Sequence, residues 1–232
     1  MSTISWRYWR AGVGSSSFQG VSLAAPPPTV DGVPPPAAHH PEATVPHIAL
    51  EPDLPGIRSL VAYRQDTGRL LYELAETLLR SESTLSPADR ELIAAYVSAR
   101  NECFFCTSSH AAASRHLYGD RQEVVDAVIT DLDSAPVSAR LRALLHIAGK
   151  VQQNGRLVTE EDVDVARREG ASDREIHDAV LIAASFSMFN RYVDGLATWA
   201  PRDPAAYAEM GKRMAEQGYA RRFDQVVGAS PG

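Results

Sequence analysis

The feature that most constrains this chain is its punctuation, which recurs at helical rather than strand intervals. Ser86-Pro87 reads as the cap and first residue of a helix, because proline lacks only an N–H that the first turn leaves unbonded anyway. Ser138 reads as another cap, and Thr159/Asp162 and Ser172/Glu175 have the spacing of capping boxes. Gly119 reads as a C-terminal stop. The amphipathic run from Thr67 to Leu79 gives a first helix, and further helices are predicted over 87–100, 103–118 and 140–151. Asp120 with Glu123 opens one more, and Ala179 to Phe189 has no charged residue, so it reads as a helix buried on most sides. Pro204 to Gly218 suggests a final helix followed by a loose tail. No alternating strand pattern of useful length interrupts these segments. The expected fold class is all-α.

Residues 1 to 45 have a different composition. Pro26-Pro27-Pro28, Pro34-Pro35-Pro36 and Gly14-Ser15-Ser16-Ser17 favour an extended or disordered arm. The expected organisation is this arm over 1–45, a helical domain over 46–203, and a C-terminal helix and tail over 204–232. Trp6, Tyr8 and Trp9 are unusual in a free tail and fit either an anchor on a neighbouring subunit or a start codon placed too early. His39-His40 reads as a solvated pair. A formal net charge of −6 and an isoelectric point near 5.6 argue against general nucleic-acid binding. No run of eighteen apolar residues is present, so no transmembrane helix and no membrane partner are expected. The N-terminal residues lack the apolar core of a secretory signal, and a cytoplasmic location is the expectation.

The chain uses cysteine twice, and both fall in Asn101-Glu102-Cys103-Phe104-Phe105-Cys106-Thr107-Ser108-Ser109-His110. On a helix, Cys103, Cys106 and His110 share one face. Cα atoms three apart on a helix lie roughly 5 Å from each other, inside the range a disulfide accepts. Asn101 is a plausible cap, which would place Cys103 in the first turn, where the helix dipole favours thiolate. Three readings stay open. One is a dithiol redox centre. The second is a zinc site, which no second C-x-x-C or H-x-x-H cluster supports. The third is a pair of inert core cysteines. Glu91, on the helix begun at Ser86, shares a stripe with Ala94, Ala95 and Ser98. It reads either as a carboxylate facing a packed surface or as a solvated first-turn glutamate.

Glu91, Cys103, Cys106 and His110 together match the pattern E-x11-C-x2-C-x3-H. That pattern resembles the AhpD-like alkylhydroperoxidases of the wider carboxymuconolactone decarboxylase family, and the flanking residues resemble its peroxidase-related branch. The resemblance spans about 55 to 200, with its specific motif at 91 to 110. It implies an AhpD-like helical bundle, with Cys106 as the peroxidatic thiol and Cys103 as the resolving thiol that closes a Cys103–Cys106 disulfide. It also implies a His110/Glu91 proton relay, through water, that ionises Cys106. Phe105 departs from the family pattern, in which tyrosine is frequent there.

The activity implied is hydroperoxide reduction, with recycling by an external lipoyl-type or thioredoxin-type dithiol, in a homo-oligomer (trimer or hexamer). No cofactor is expected, because sulfur carries both electrons. Phe105, Asn190, Arg191 and Tyr192 are the candidates for substrate access. For Arg191 the plainer reading is an ion pair with Asp194. His146 and His177 read as structural. A general disulfide oxidoreductase or redox sensor is the competing function, and a zinc-stabilised helical interaction module a more distant one. Muconolactone decarboxylation fits poorly, since that branch does not rely on a C-x-x-C pair.

Overall fold

The computed structural model describes residues 45–219 together with Phe223, Val226 and Gly228. The arm expected over 1–45 falls outside them except for Val45. The described residues form nine α-helices and no strand: α1 (Ile57–Tyr63), α2 (Gln65–Arg80), α3 (Pro87–Arg100), α4 (Phe104–Tyr118), α5 (Glu123–Thr130), α6 (Ala139–Gln153), α7 (Glu160–Arg168), α8 (Asp173–Gly195) and α9 (Pro204–Gln217). The all-α expectation therefore holds. No helix among the described residues is long and apolar enough to cross a membrane.

The helix starts follow from local chemistry. The Ser86 hydroxyl accepts from the Asp89 N–H with Pro87 at the first helical position, and Ser138 caps α6 through the Leu141 N–H. Both capping boxes form, Thr159 with Asp162 and Ser172 with Glu175. Each such cap contributes about 1 kcal/mol. At Gly119 the backbone turns left-handed, with φ of 58°, and ends α4.

The centre of the bundle is α3, whose residues from Arg90 to Val97 and on to Ser98 are all buried. It packs chiefly on α4, α8 and α6, while α9 lies along the other side of α4. Two glycines permit close approaches that the site depends on. A Cβ at Gly56 would sit 2.3 Å from the Phe105 ring, so the start of α1 can press on the helix that carries the cysteines only as glycine. At Gly211 a Cβ would meet the α4 backbone at Ala112 at 2.5 Å, which sets how closely α9 lies against α4.

Gly211→Ala should therefore cost stability rather than gain helix propensity. The backbone it meets cannot rotate away as a side chain could, so overpacking of about 1–3 kcal/mol is expected. Urea unfolding should show a lower midpoint with an unchanged slope.

Candidate active site

The cysteines occupy a junction between two helices. α3 ends at Asn101, after which Glu102 adopts the left-handed conformation with φ of 58°. The Cys103 N–H donates to the Ser98 carbonyl and the Glu102 N–H to the Ala99 carbonyl, which closes the last turn of α3. Cys103 itself is then the N-cap residue of α4. The expected cap, Asn101, instead ends α3. Its side-chain amide donates to Asn190 at 2.8 Å and its carbonyl oxygen accepts from Gln152 at 2.8 Å, so it ties α3 to α8 and α6. Cys106 stands one turn inside α4, near its positive end.

Glu91 is fully buried, as the packed-surface reading requires, and its carboxylate is surrounded by donors. Oε1 accepts from Arg80 Nη2 at 2.5 Å and from the Tyr219 hydroxyl at 2.7 Å. Oε2 lies 2.7 Å from His110 Nδ1. The carboxylate thus contacts the imidazole directly. Burial pushes the Glu91 carboxyl up, but the pairing with His110, Arg80 and Tyr219 outweighs it and holds the group below its ordinary value of 4.5. The Phe186 ring stands edge-on to His110 with centroids 4.5 Å apart, and the Tyr219 ring lies nearly parallel to the imidazole at 6.3 Å. With Nδ1 held by Glu91, the imidazole presents Nε2 on its opposite edge.

Both thiols are free and buried, Cys103 completely and Cys106 with 4% exposure. The Cys103 thiol is pushed well above the ordinary thiol range, first by its hydrogen bond to Cys106 and then by burial. Both effects favour the neutral thiol at Cys103. Beside Cys103, the Asp194 carboxyl is raised by burial, against a hydrogen bond from Cys103 that favours its charged form. Cys106, His110 and Tyr219 line one cavity of about 60 Å³, whose walls are largely apolar and include Phe105, Phe186 and Met210. Among the described residues, no group of three His, Cys, Asp or Glu side chains is arranged to hold a metal ion.

Of the access candidates, Phe105 forms part of the cavity wall. Asn190 and Arg191 line a separate shallow groove with Asn101, Asp194 and Gly195. Asn190 is buried and donates to the Ser98 hydroxyl at 3.0 Å, and Arg191 donates to the Ser187 carbonyl of its own helix rather than pairing with Asp194. Tyr192 packs against the core at a partly buried position. His146 and His177 are surface residues, each with a ring nitrogen 3.0 Å from a carboxylate oxygen, of Asp133 and Asp178 respectively.

Two members of the cluster carry no sequence signal. Arg80 is the last residue of α2, where a basic residue is explained by the helix dipole alone. Tyr219 follows the final helix, in the segment expected to be a loose tail. It is instead 7% exposed and seated, because its hydroxyl supplies a donor to the buried carboxylate.

An all-helical fold whose buried dithiol adjoins an imidazole–carboxylate pair defines the class of this protein. Residues 65–150 match the model of the carboxymuconolactone decarboxylase family. The fold is similar to an uncharacterized peroxidase-related protein from Silicibacter sp. TM1040, with 31% identity, 66% of this chain and 78% of that one covered, and a TM-score of 0.60. It is also similar to the alkylhydroperoxidase AhpD core of an uncharacterized peroxidase-related protein from Ralstonia eutropha JMP134, with 27% identity, coverage of 68% and 81%, and a TM-score of 0.61. A putative antioxidant defence protein AhpD from Agrobacterium tumefaciens, ATU0492, shares the fold at 21% identity, with coverage of 62% and 97% and a TM-score of 0.55. No curated protein matches the chain. The chain is an AhpD-like member of the carboxymuconolactone decarboxylase family.

Glu91→Gln should destabilise the fold by about 3–5 kcal/mol at neutral pH, by leaving Arg80 without its buried counter-charge. Because the folded-state carboxyl is depressed, its contribution is present above the ordinary value of 4.5 and is lost as pH falls through the folded value. Urea unfolding of both proteins across pH 7 to 3 should show the gap narrowing only towards the acid end.

Proposed function

We propose that the protein is a thiol-dependent hydroperoxide reductase in which Cys106 attacks and Cys103 resolves. One observation carries the assignment of roles. Cys106 shares the cavity with His110, while Cys103, fully buried at the start of α4, lies outside its lining. Cys106 is thus the sulfur that an entering peroxide and the imidazole can both reach.

The steps balance. The Cys106 proton passes to His110, whose imidazolium is steadied by the Glu91 carboxylate. The Cys106 thiolate attacks the terminal oxygen of the hydroperoxide, so that an S–O bond forms and the O–O bond breaks. The alkoxide leaves with the proton from His110 as an alcohol, and Cys106 is left as a sulfenic acid. The Cys103 sulfur then attacks Cys106, and its own proton leaves with the departing hydroxide as water. An external dithiol reduces the resulting Cys103–Cys106 disulfide by two thiol–disulfide exchanges.

Burial separates this reading from general protein disulfide exchange. A thiol with 4% exposure in a cavity of about 60 Å³ admits a small peroxide more readily than the disulfide of a folded partner. For the same reason a slender lipoyl-type donor suits recycling better than the broad surface of a thioredoxin-type protein.

Peroxide titration of the reduced protein tests the assignment. Cys106→Ser should lower the rate of peroxide consumption by at least about a thousandfold, since the nucleophile is lost. Cys103→Ser should consume one equivalent and stop, with a sulfenic acid on Cys106 that a dimedone-type probe detects by mass. If both variants turn over like the parent protein, the assignment is wrong.

A further inference from the structure

We propose that Tyr219 is a positioning residue of the proton relay, seated there by the turn at Gly218. The inference rests on the peroxidase reading for its kinetic consequence, but its structural basis is independent of it.

The buried carboxylate of Glu91 has two oxygens and three donors. Oε1 is occupied by Arg80 at 2.5 Å and by the Tyr219 hydroxyl at 2.7 Å, which leaves Oε2 as the oxygen that meets His110. The same hydroxyl lies 3.4 Å from His110 Nδ1, so it stands at the hinge between the carboxylate and the imidazole. Without it, Oε1 keeps a single partner, and the carboxylate can rotate and offer either oxygen to the ring. The hydroxyl therefore fixes the angle at which the carboxylate meets His110 Nδ1, and with it the tilt of the imidazole in the cavity wall.

The seat of Tyr219 is built for this purpose by residues outside the E-x11-C-x2-C-x3-H pattern. Its backbone N–H donates to Glu76 Oε2 at 2.5 Å, across 143 residues of sequence. Gly218 has a φ of 67°, and a Cβ there would meet the Glu76 carboxylate at 2.5 Å, so the turn into Tyr219 requires glycine. Arg80 stacks on the Tyr219 ring at 5.3 Å, and its Nη2 also donates to the Met214 carbonyl of α9. The Tyr72 ring meets Tyr219 edge-on at 6.5 Å. Arg80 thus binds the relay carboxylate, the Tyr219 ring and the α9 backbone at once, which couples seating of Tyr219 to alignment of Glu91. Tyr219 also lines the cavity that holds Cys106, so unseating it both opens the cavity and releases the carboxylate.

Tyr219→Phe removes the hydroxyl and keeps the ring contacts. The rate constant for peroxide consumption should fall about tenfold, the scale of one hydrogen bond to a charged group, while KM stays close to that of the parent. A low-field proton resonance from the short His110 Nδ1–Glu91 bond should broaden or vanish, with helical circular dichroism unchanged. A hydroxyl with a merely structural role would leave both the resonance and the turnover rate in place. Glu76→Ala, remote from the carboxylate, should produce the same two changes at smaller amplitude, and stands in for Tyr219→Phe should that variant fail to fold. If Tyr219→Phe keeps the resonance and the rate, or Glu76→Ala alters neither, the coupling is refuted. A parent protein without peroxidase turnover would sink the proposed function alone, because the resonance is read without substrate.

Discussion

The structure is organised around one buried charge. An ionised carboxylate with no solvent exposure costs several kcal/mol unless its oxygens are occupied, and Glu91 meets that cost with an arginine, a tyrosine and a histidine. These come from the end of α2, from the residue two places beyond α9, and from α4, while the carboxylate sits on α3. Four segments distant in sequence must therefore converge on one point. A hydrophobic residue of similar volume at position 91 could hold the helices together as well or better. What it could not do is orient His110, so the expense of a buried ion pair is intelligible as a requirement of the site rather than of the bundle.

The inequality of the cysteines follows from where the helix begins. Cys103 is the N-cap of α4 and is locked by its N–H to the last turn of α3, whereas Cys106 is three residues further, on the face that meets the cavity. A left-handed Glu102 makes the tight passage between the helices possible, at a strain of about 1–2 kcal/mol for a residue with a Cβ. That strain buries one thiol completely and leaves the other against the cavity. Identical side chains thus acquire different surroundings by position, Cys103 closed off at the helix junction and Cys106 set beside His110 in the cavity wall.

Sequence alone made the helices legible because their caps are local. Ser86, Ser138, Thr159/Asp162 and Ser172/Glu175 satisfy N–H groups within three residues, so their patterns are complete on the line of text. The motif residues were legible for a related reason: Cys103, Cys106 and His110 share one helical face, and Glu91 lies at a family spacing on the helix before. Asn101 was misread because one asparagine can start a helix or finish another, and only the direction of its side chain decides between them. Arg80 and Tyr219 could not be found at all. Their partner is Glu91, 11 residues from Arg80 and 128 from Tyr219, and neither carries a periodicity or pattern that refers to it.

The enclosure that protects the relay also sets what can reach it. In a largely apolar cavity of about 60 Å³ the His110–Glu91 contact is weakly screened. The wall nevertheless contains Met210 and Met214, unbranched side chains that repack more easily than the phenylalanines opposite them. Both belong to α9, the helix that Gly211 lets down onto α4 and that leads directly into Tyr219. The yielding side of the cavity and the seat of the relay tyrosine are therefore one continuous piece of chain. A substrate that widened the cavity by displacing α9 would misalign Glu91 as it entered.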